Sequence, residues 1–351
     1  MVRFSDIKEI RDKTSTKDAG PPRNVEPGQV RLSDPAFSEL NKKEDLLREE
    51  ARAERDSADV AVLYEKLVQS ATDVREKVAS GQDLAPGPIF ADLHAVLDRD
   101  LIQPLFEHAM SQPGDWKDLS LHSVDVSLGC LMVGKGLGYD KKKLLEIGLA
   151  AFLENVGMYR IPEGILEKST KLESGEIDRI REHPETSATI LSRLGERYAW
   201  LADIALQVHE RTDGSGYPRG LKGSEISETA SIIGLVDTYV AMIRKRAYRD
   251  RILQADAIRF ILKEGKVQFP TKILKGFLNS ISLFPFNTYV KLNNKSIGRV
   301  VSTDRNHPLR PAVQVLFDGL GNKPERKEIV RLSDNPLLYI VETIDERDLK
   351  T

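Results

Sequence analysis

The segment His209–Pro218, H-E-R-T-D-G-S-G-Y-P, combines a histidine, two carboxylates, two glycines, a tyrosine and a proline within ten residues. Histidine nitrogens and carboxylate oxygens are side-chain groups that bind the cations of metal-dependent hydrolases. Asp213-Gly214 predicts a turn, and Gly214 and Gly216 allow backbone conformations that residues with a side chain rarely adopt. The pattern predicts a helix that ends near His209 and runs into a rigid polar loop. A surface turn with a stray histidine is the alternative for any one of these residues.

The chain around this loop is predicted to be almost wholly helical. Apolar residues recur at helical spacing in the segment after residue 141, and Ser174 is a suitable helix start. We expect helices over 118–134, 141–155, 173–194, 197–210, 225–244, 253–264 and 270–280.

The N-terminal third of the chain predicts a long helix after a polar leader. From about Ser38 there is no Gly or Pro until Gly81, a composition that favours one helix. Apolar residues recur within it at alternating steps of four and three, at Val60, Tyr64, Leu67, Ala71, Val74 and Val78. This seam would pack on the next helix, about 88–110, as a hairpin; the alternative is a homodimer through the N-terminal helices.

The residues after about Leu283 predict a small β unit. Five short β-branched runs are separated by Asn, Asp, Gly and Pro: V-K-L, I-G-R-V-V, A-V-Q-V-L-F, E-I-V-R-L and L-Y-I-V-E-T-I. His307 stands beside Pro308 in a loop, where we expect an exposed side chain without a catalytic role.

The composition bounds the class of protein. Of 351 residues 40% are apolar and 30% charged, and the formal net charge is -2. This favours a globular protein without electrostatic bias toward nucleic acid or membrane. No apolar run approaches the roughly 20 residues of a membrane span, and the N-terminus lacks the apolar core of a secretory signal. Cys130, the one cysteine, is expected to be buried. We therefore expect a cytoplasmic protein that binds neither nucleic acid nor membranes.

The loop resembles the signature loop of the HD-GYP family, in which D-G-S-G-Y-P is followed by G-L-x-G, here Gly220, Leu221 and Gly223. Four further segments resemble family motifs: L-H-S-V-D-V, L-E-N-V-G-M-Y-R-I-P-E-G-I-L, E-H-P-E-T-S-A-T-I-L and I-I-G-L-V-D-T-Y-V-A-M. The family consists of helical metal-dependent phosphodiesterases that open the bacterial second messenger cyclic di-GMP. The resemblance covers roughly residues 115–282.

The resemblance implies a mainly α protein with an HD-type helical bundle core, an N-terminal helical extension and a small C-terminal β unit. The expected domains are a disordered leader over 1–35, an N-terminal helical region over 36–112, an HD-GYP helical domain over 113–282 and the β unit over 283–351.

The resemblance also implies a set of metal ligands. The positions that match the family are His122, His183, His209 and Asp237. Four positions around the metal ligands depart from it: the His-Asp dyad is Glu154-Asn155, the family's lysine is Met158, and the first of two paired histidines is Val208. A fifth departure is Val240, which replaces a second aspartate. Glu154 can replace the lost imidazole with oxygen.

The asparagine at the dyad changes what the site can hold. An aspartate there would bridge two cations, whereas an amide offers one neutral oxygen and points N–H donors at a cation. Two dipositive ions about 4 Å apart repel by about 16 kcal/mol at an effective dielectric constant of about 20. We therefore expect one transition metal ion, iron, manganese or zinc, or none, with His122, Glu154, His183, His209 and Asp237 as the available ligands.

The family's residues for binding the nucleotide are better matched in this sequence than its metal ligands. R-A-Y-R resembles the family's R-P-Y-R, so Arg246 and Arg249 would suit the phosphates of a cyclic dinucleotide; a solvated helix end is the alternative. Tyr217 would stack on or hydrogen-bond to a guanine, or pin the signature loop of Asp213, Gly214, Gly216, Tyr217 and Pro218.

Two hypotheses about function follow. The first is a degenerate HD-GYP protein that binds cyclic di-GMP, or a partner such as a diguanylate cyclase domain, with weak or no hydrolysis. The second is an active phosphodiesterase with a reduced metal site that includes Glu154. The four departures around one centre favour the first.

Overall fold

A computed structural model describes the backbone of residues 35–112, 118–168, 170–244, 252–282, 284, 287–303, 307 and 309–345, with side chains from residue 58 onward. The chain divides into two units, residues 1–55 and 56–351, and the side chains that follow belong to the second. Residues 1–34 of the predicted leader, and both predicted phosphate-binding residues, Arg246 and Arg249, lie outside the described residues.

The first helix, α1, spans Pro35–Ser80, and its apolar seam is buried within the chain. The Tyr64 ring meets the His108 ring edge-on with centroids 5.0 Å apart, and the Ser70 hydroxyl donates to Asp92 over 2.8 Å. These contacts agree with the hairpin interpretation of the seam. The expected helix over 88–110 is instead two, α2 (Pro86–Asp98) and α3 (Ile102–Ser111), because Asp100 takes the left-handed conformation with φ of 50°.

Two long buried helices form the centre of the helical core. Helix α4 spans Leu119–Gly136, and the Asp118 carboxylate accepts hydrogen bonds from the first-turn N–H groups of Ser120 and Leu121. Gly129 faces Val236 so closely that a Cβ atom would clash with the valine side chain. Val236 lies on α10, Glu228–Ile243, so this glycine lets α4 and α10 approach each other.

The helices that carry the other candidate residues are shorter than predicted. Helix α5 spans Lys141–Leu153 and is followed by a 3-10 segment, Val156–Arg160, and the short helix α6, Glu163–Leu166. The expected helix over 173–194 consists of α7 (Ser174–Arg181), α8 (His183–Leu191) and a 3-10 turn. The break precedes Pro184, whose missing N–H is tolerated only in a first turn. Helix α9 spans only Ala199–Ala205, and α11 (Gln254–Gln268) and α12 (Thr271–Ser280) follow α10.

The predicted C-terminal β unit is confirmed as an antiparallel sheet of five strands in the order β4-β3-β2-β1-β5. The strands are β1 (Tyr289–Leu292), β2 (Ile297–Ser302), β3 (Ala312–Phe317), β4 (Glu328–Arg331) and β5 (Ile340–Ile344). The sheet has its own small apolar core, formed by Phe284, Val290, Leu292, Val300, Val313 and Leu332. His307 is exposed and Cys130 is buried, as expected.

Across the described ranges, we find no helix that is both long and apolar enough to cross a membrane.

Candidate metal centre

Five helices and the segments after them bring five candidate ligands together. His122 lies on α4, Glu154 follows α5, His183 begins α8, His209 follows α9 and Asp237 lies on α10. Their ligand atoms form two groups, Glu154 with His183 and His209, and His122 with Glu154 and Asp237. Within each group the atoms lie within 4.8 Å of one another. Glu154 belongs to both groups, so its carboxylate is the centre of the cluster.

Two histidines of the cluster, His183 and His209, are held as neutral ligands. The Nδ1–H of His183 donates to the Ile180 carbonyl oxygen over 2.7 Å, which leaves the lone pair of a neutral ring on Nε2. That Nε2 lies 2.8 Å from Nε2 of His209. Burial lowers the pKa of His183, and burial together with His183 lowers the pKa of His209 to about 3. Neutral imidazoles are the form that binds a metal ion.

The carboxylates of the cluster are held where a cation would stabilise them. Glu154 is buried, and burial followed by the charge of Asp237 raises its pKa well above the usual range. Its Oε2 has no hydrogen-bond partner among the described residues. Asp237 Oδ1 lies within hydrogen-bond distance of His122 Nε2, 2.8 Å away. A buried carboxylate oxygen without a donor, beside a second carboxylate, fits a cation ligand.

Of the five positions that depart from the family pattern, Val208 and Val240 are turned toward packing, whereas Asn155 is turned toward Glu154. The Asn155 amide N–H donates to Glu154 Oε1, and the asparagine is nearly buried. Val208 and Val240 are fully buried in the helical core. Val208 also presses against α10, because a Cβ atom on Gly234 would clash with its carbonyl oxygen. Met158 is half-buried on the 3-10 segment after α5.

The signature loop is anchored by Glu210, a residue that the sequence analysis missed. This buried carboxylate accepts the N–H of Arg219 over 2.7 Å and that of Leu221 over 2.9 Å. Gly216 lies so close to the Glu210 backbone that a side chain would not fit, and Gly214 has φ of 81°. The signal in the sequence is a carboxylate directly after a helix and ahead of glycine-rich backbone, whose N–H groups need acceptors.

Replacing Glu210 with alanine should destabilise the loop by about 1.5–3 kcal/mol, since each lost bond joins a charged carboxylate to a backbone N–H. Hydrogen exchange at the Arg219 and Leu221 amides should accelerate accordingly. Glu225→Ala is the matched control, because Glu225 is exposed and accepts a single backbone N–H, that of Lys222, over 2.7 Å. Equal acceleration in both variants would show that Glu210 is not the anchor.

Tyr217 connects the loop to the cluster. Its ring stacks on the His209 ring with centroids 5.0 Å apart and an angle of 1° between the planes. The Tyr217 N–H also donates to the His209 carbonyl oxygen over 3.2 Å, and the Tyr217–Pro218 peptide bond is cis. The guanidinium of Arg181 lies over the tyrosine ring, 5.5 Å from its centroid. These contacts agree with a tyrosine that pins the loop; stacking on a guanine stays a prediction.

Arg244, which the sequence groups with Arg246 and Arg249 after the Asp237 helix, has a structural role. It is buried, and its Nε donates to Asp125 Oδ2 over 2.8 Å. Its two terminal nitrogens donate to the carbonyl oxygens of Gln112 and Ala109, each over 2.7 Å. The side chain therefore joins the end of α10 to α4 and to the end of α3 and does not face a ligand.

Comparisons with known proteins agree with this fold. Residues 108–273 match the model of the HD domain, and residues 289–351 match that of a KOW domain associated with the HD domain. A cyclic di-GMP phosphodiesterase of Pseudomonas aeruginosa is 30% identical over 212 residues, 60% of this chain and 51% of that protein. A cyclic di-GMP phosphodiesterase of Borreliella burgdorferi is 30% identical over 198 residues, 56% of this chain and 52% of that protein.

A solved structure shares the fold. An HDG"Y"P protein from Bdellovibrio bacteriovorus superposes with a TM-score of 0.53 at 16% identity, covering 63% of this chain and 71% of that one. The chain spans about half the length of the two curated relatives.

The helical arrangement and the histidine–carboxylate cluster define an HD-type helical domain. This domain carries the D-G-S-G-Y-P loop, and over it the chain is similar to cyclic di-GMP phosphodiesterases and shares the fold of an HDG"Y"P protein.

Proposed function

We propose that this protein binds cyclic di-GMP in a signalling role and hydrolyses it weakly or not at all. The observation that carries the proposal is the hydrogen bond from the Asn155 amide to Glu154. At the position where the family's aspartate would bridge two cations, this chain directs an N–H donor at the carboxylate shared by both ligand groups. The centre therefore lacks the negative charge that a pair of metal ions requires.

Charge balance favours one divalent ion. When its histidines bind a metal ion in the neutral form, the cluster carries the charges of Glu154 and Asp237 alone. These two charges match one dipositive ion and leave a second uncompensated. Glu154 would hold the ion together with His183 and His209 or with His122 and Asp237. Imidazole and carboxylate ligands suit iron, manganese or zinc. A bound ion would withdraw charge from a phosphate group of the ligand.

The chain's own residues would orient the ligand at this centre. Glu210 fixes the loop, and the stack of Tyr217 on His209 fixes the imidazole from the loop side. Arg246 and Arg249 stay predictions as phosphate-binding residues. A diguanylate cyclase domain is the alternative binding partner, and the cytoplasm is the proposed compartment.

The second candidate function is an active phosphodiesterase with a reduced metal site. Its support is Glu154, because a carboxylate shared by two ligand groups has two oxygens with which to contact two ions. Calorimetric titration of the purified chain with cyclic di-GMP tests binding, and product analysis of the same mixture tests hydrolysis. Binding without product supports the first function, and rapid product formation supports the second. A chain that neither binds nor hydrolyses cyclic di-GMP contradicts both.

Restoring the family residues should restore hydrolysis. We expect Glu154→His, Asn155→Asp and Met158→Lys together to raise the metal content and the rate of cyclic di-GMP opening above those of the parent. A fourth change, Val208→His, would complete the ligands but places an imidazole in close packing at a fully buried position, so we expect it to cost stability. The triple variant should therefore be made beside the quadruple variant. Folded variants that hold two or more metal ions without hydrolysis would show that the metal ligands are not the block.

A further inference from the structure

Two arginines on α7 differ in the group that their guanidinium contacts. Arg179 forms an ion pair with Glu182, whereas Arg181 lies over the face of Tyr217 and is paired with no carboxylate among the described residues. A carboxylate partner neutralises a guanidinium, but an aromatic ring only attracts it and leaves the full charge in place. Arg181 is also exposed. It therefore presents an uncompensated cation in a fixed place.

That place is the edge of the metal centre. Arg181 stands two residues before His183, and Tyr217, which it covers, stacks on His209 with ring centroids 5.0 Å apart. The Tyr217 and His183 ring centroids are 6.4 Å apart. A guanidinium laid on an aromatic ring keeps its N–H donors in its own plane, free for the two oxygens of a phosphate. Met158 stands where the family has a lysine, so that position supplies no cation for a phosphate in this chain.

We propose that Arg181, held by the ring of Tyr217, is a binding residue for a phosphate group of the cyclic dinucleotide. This inference rests on the proposed function, because it names a residue that would contact the same ligand. Arg181 does not belong to the ligand groups of the cluster, so its role is in affinity and not in holding metal. The aromatic face fixes the guanidinium before the ligand arrives, which lowers the entropy lost on binding.

The test compares Arg181→Gln with Arg179→Gln in the full chain. Both substitutions remove an exposed guanidinium from the same helix, and only the first removes the cation beside the cluster. Calorimetric titration with cyclic di-GMP should give a dissociation constant about 10- to 100-fold higher for Arg181→Gln and within about twofold of the parent for Arg179→Gln. Arg181→Lys should be intermediate, because it keeps the charge and loses the planar fork. Metal content by elemental analysis should be the same in all four proteins.

Salt provides a second readout. The affinity of the parent should fall more steeply between low and high salt than that of Arg181→Gln, since one charge contact has been removed. Equal dissociation constants for the parent and Arg181→Gln overturn the inference and leave the proposed function intact. A parent that binds no cyclic di-GMP overturns both. A loss of metal in Arg181→Gln would show that the arginine supports the centre instead of the ligand, which also overturns the inference.

Discussion

Replacing Arg244 with methionine should lower the free energy of unfolding by about 3–5 kcal/mol, the usual cost of breaking a buried ion pair. The reason is that Asp125 would be left fully buried without its cation. Its Oδ2 is 2.6 Å from Arg244 Nη2, and its Oδ1 has no hydrogen-bond partner among the described residues. The carbonyl oxygens of Gln112 and Ala109 would lose a donor as well.

Urea unfolding of the parent and four variants measures this effect. Arg244→Met and Asp125→Leu should each be strongly destabilising, and the double variant should lose much less than the sum, since an apolar pair leaves no buried charge. Arg259→Met is the control for an exposed pair, because Arg259 meets Asp256 over 2.6 Å on α11 and should cost less than about 1 kcal/mol. Additive single effects in the double variant would show that the two side chains act independently.

The loss of unfolding free energy in Arg244→Met should also depend on pH. Burial raises the pKa of Asp125 to about 6, although the charge of Arg244 lowers it. A carboxyl group whose folded pKa is raised reduces stability as the pH rises from the unfolded value, about 3.9, through the folded value. Without Arg244 the folded pKa rises further, so the penalty of Arg244→Met should be larger at pH 8 than at pH 5. A penalty that does not change over this range would contradict the assignment.

Replacing Glu154 with glutamine should lower the affinity for a divalent transition metal by at least about 100-fold, since loss of a group that only supports a ligand costs about 10- to 100-fold. Glutamine keeps Oε1 as an acceptor for the Asn155 amide and removes the charge that both ligand groups share. Without metal the variant should be at least as stable as the parent, because a buried carboxylate beside Asp237 has been removed.

Thermal unfolding with and without metal ions separates the two effects. Metal should raise the unfolding temperature of the parent, and the rise should be lost in Glu154→Gln; a 100-fold weaker site forfeits about 2.7 kcal/mol. Glu163→Gln is the control, because Glu163 is exposed and outside the ligand groups. Chelation should lower the unfolding temperature of the parent and of this control alike. A rise of the same size in Glu154→Gln would exclude Glu154 as a ligand.

The sequence predicted the fold well where local signals act alone. The five strands were predicted from short β-branched runs, and the buried seam of α1 from the heptad spacing of its apolar residues. Both patterns are visible in the sequence itself. The breaks in the helices were missed. Asp100 with its left-handed conformation and the turn before Pro184 depend on how neighbouring helices meet, and no residue pattern within one helix records that.

The site was predictable as a set of residues and not as an arrangement. Four candidate ligands were found by resemblance and Glu154 as a replacement for a lost imidazole, and the structure brings all five together. That Glu154 lies in both groups could not be derived from spacing, because it follows from packing of α4, α5, α8 and α10. The surroundings of Arg181 and Arg244 were also hidden, since arginines of similar sequence context differ only in what packs beside them.

Elemental analysis and a cyclic di-GMP turnover assay on one purified sample test the central claim most directly. We predict no more than one transition metal ion per chain and turnover far below about 1 per second, the lower end of the common enzyme range. Calorimetry on the same sample should still detect bound cyclic di-GMP. Two or more metal ions per chain retained through dialysis against a weak chelator, with turnover of about 1 per second or faster, would contradict the account.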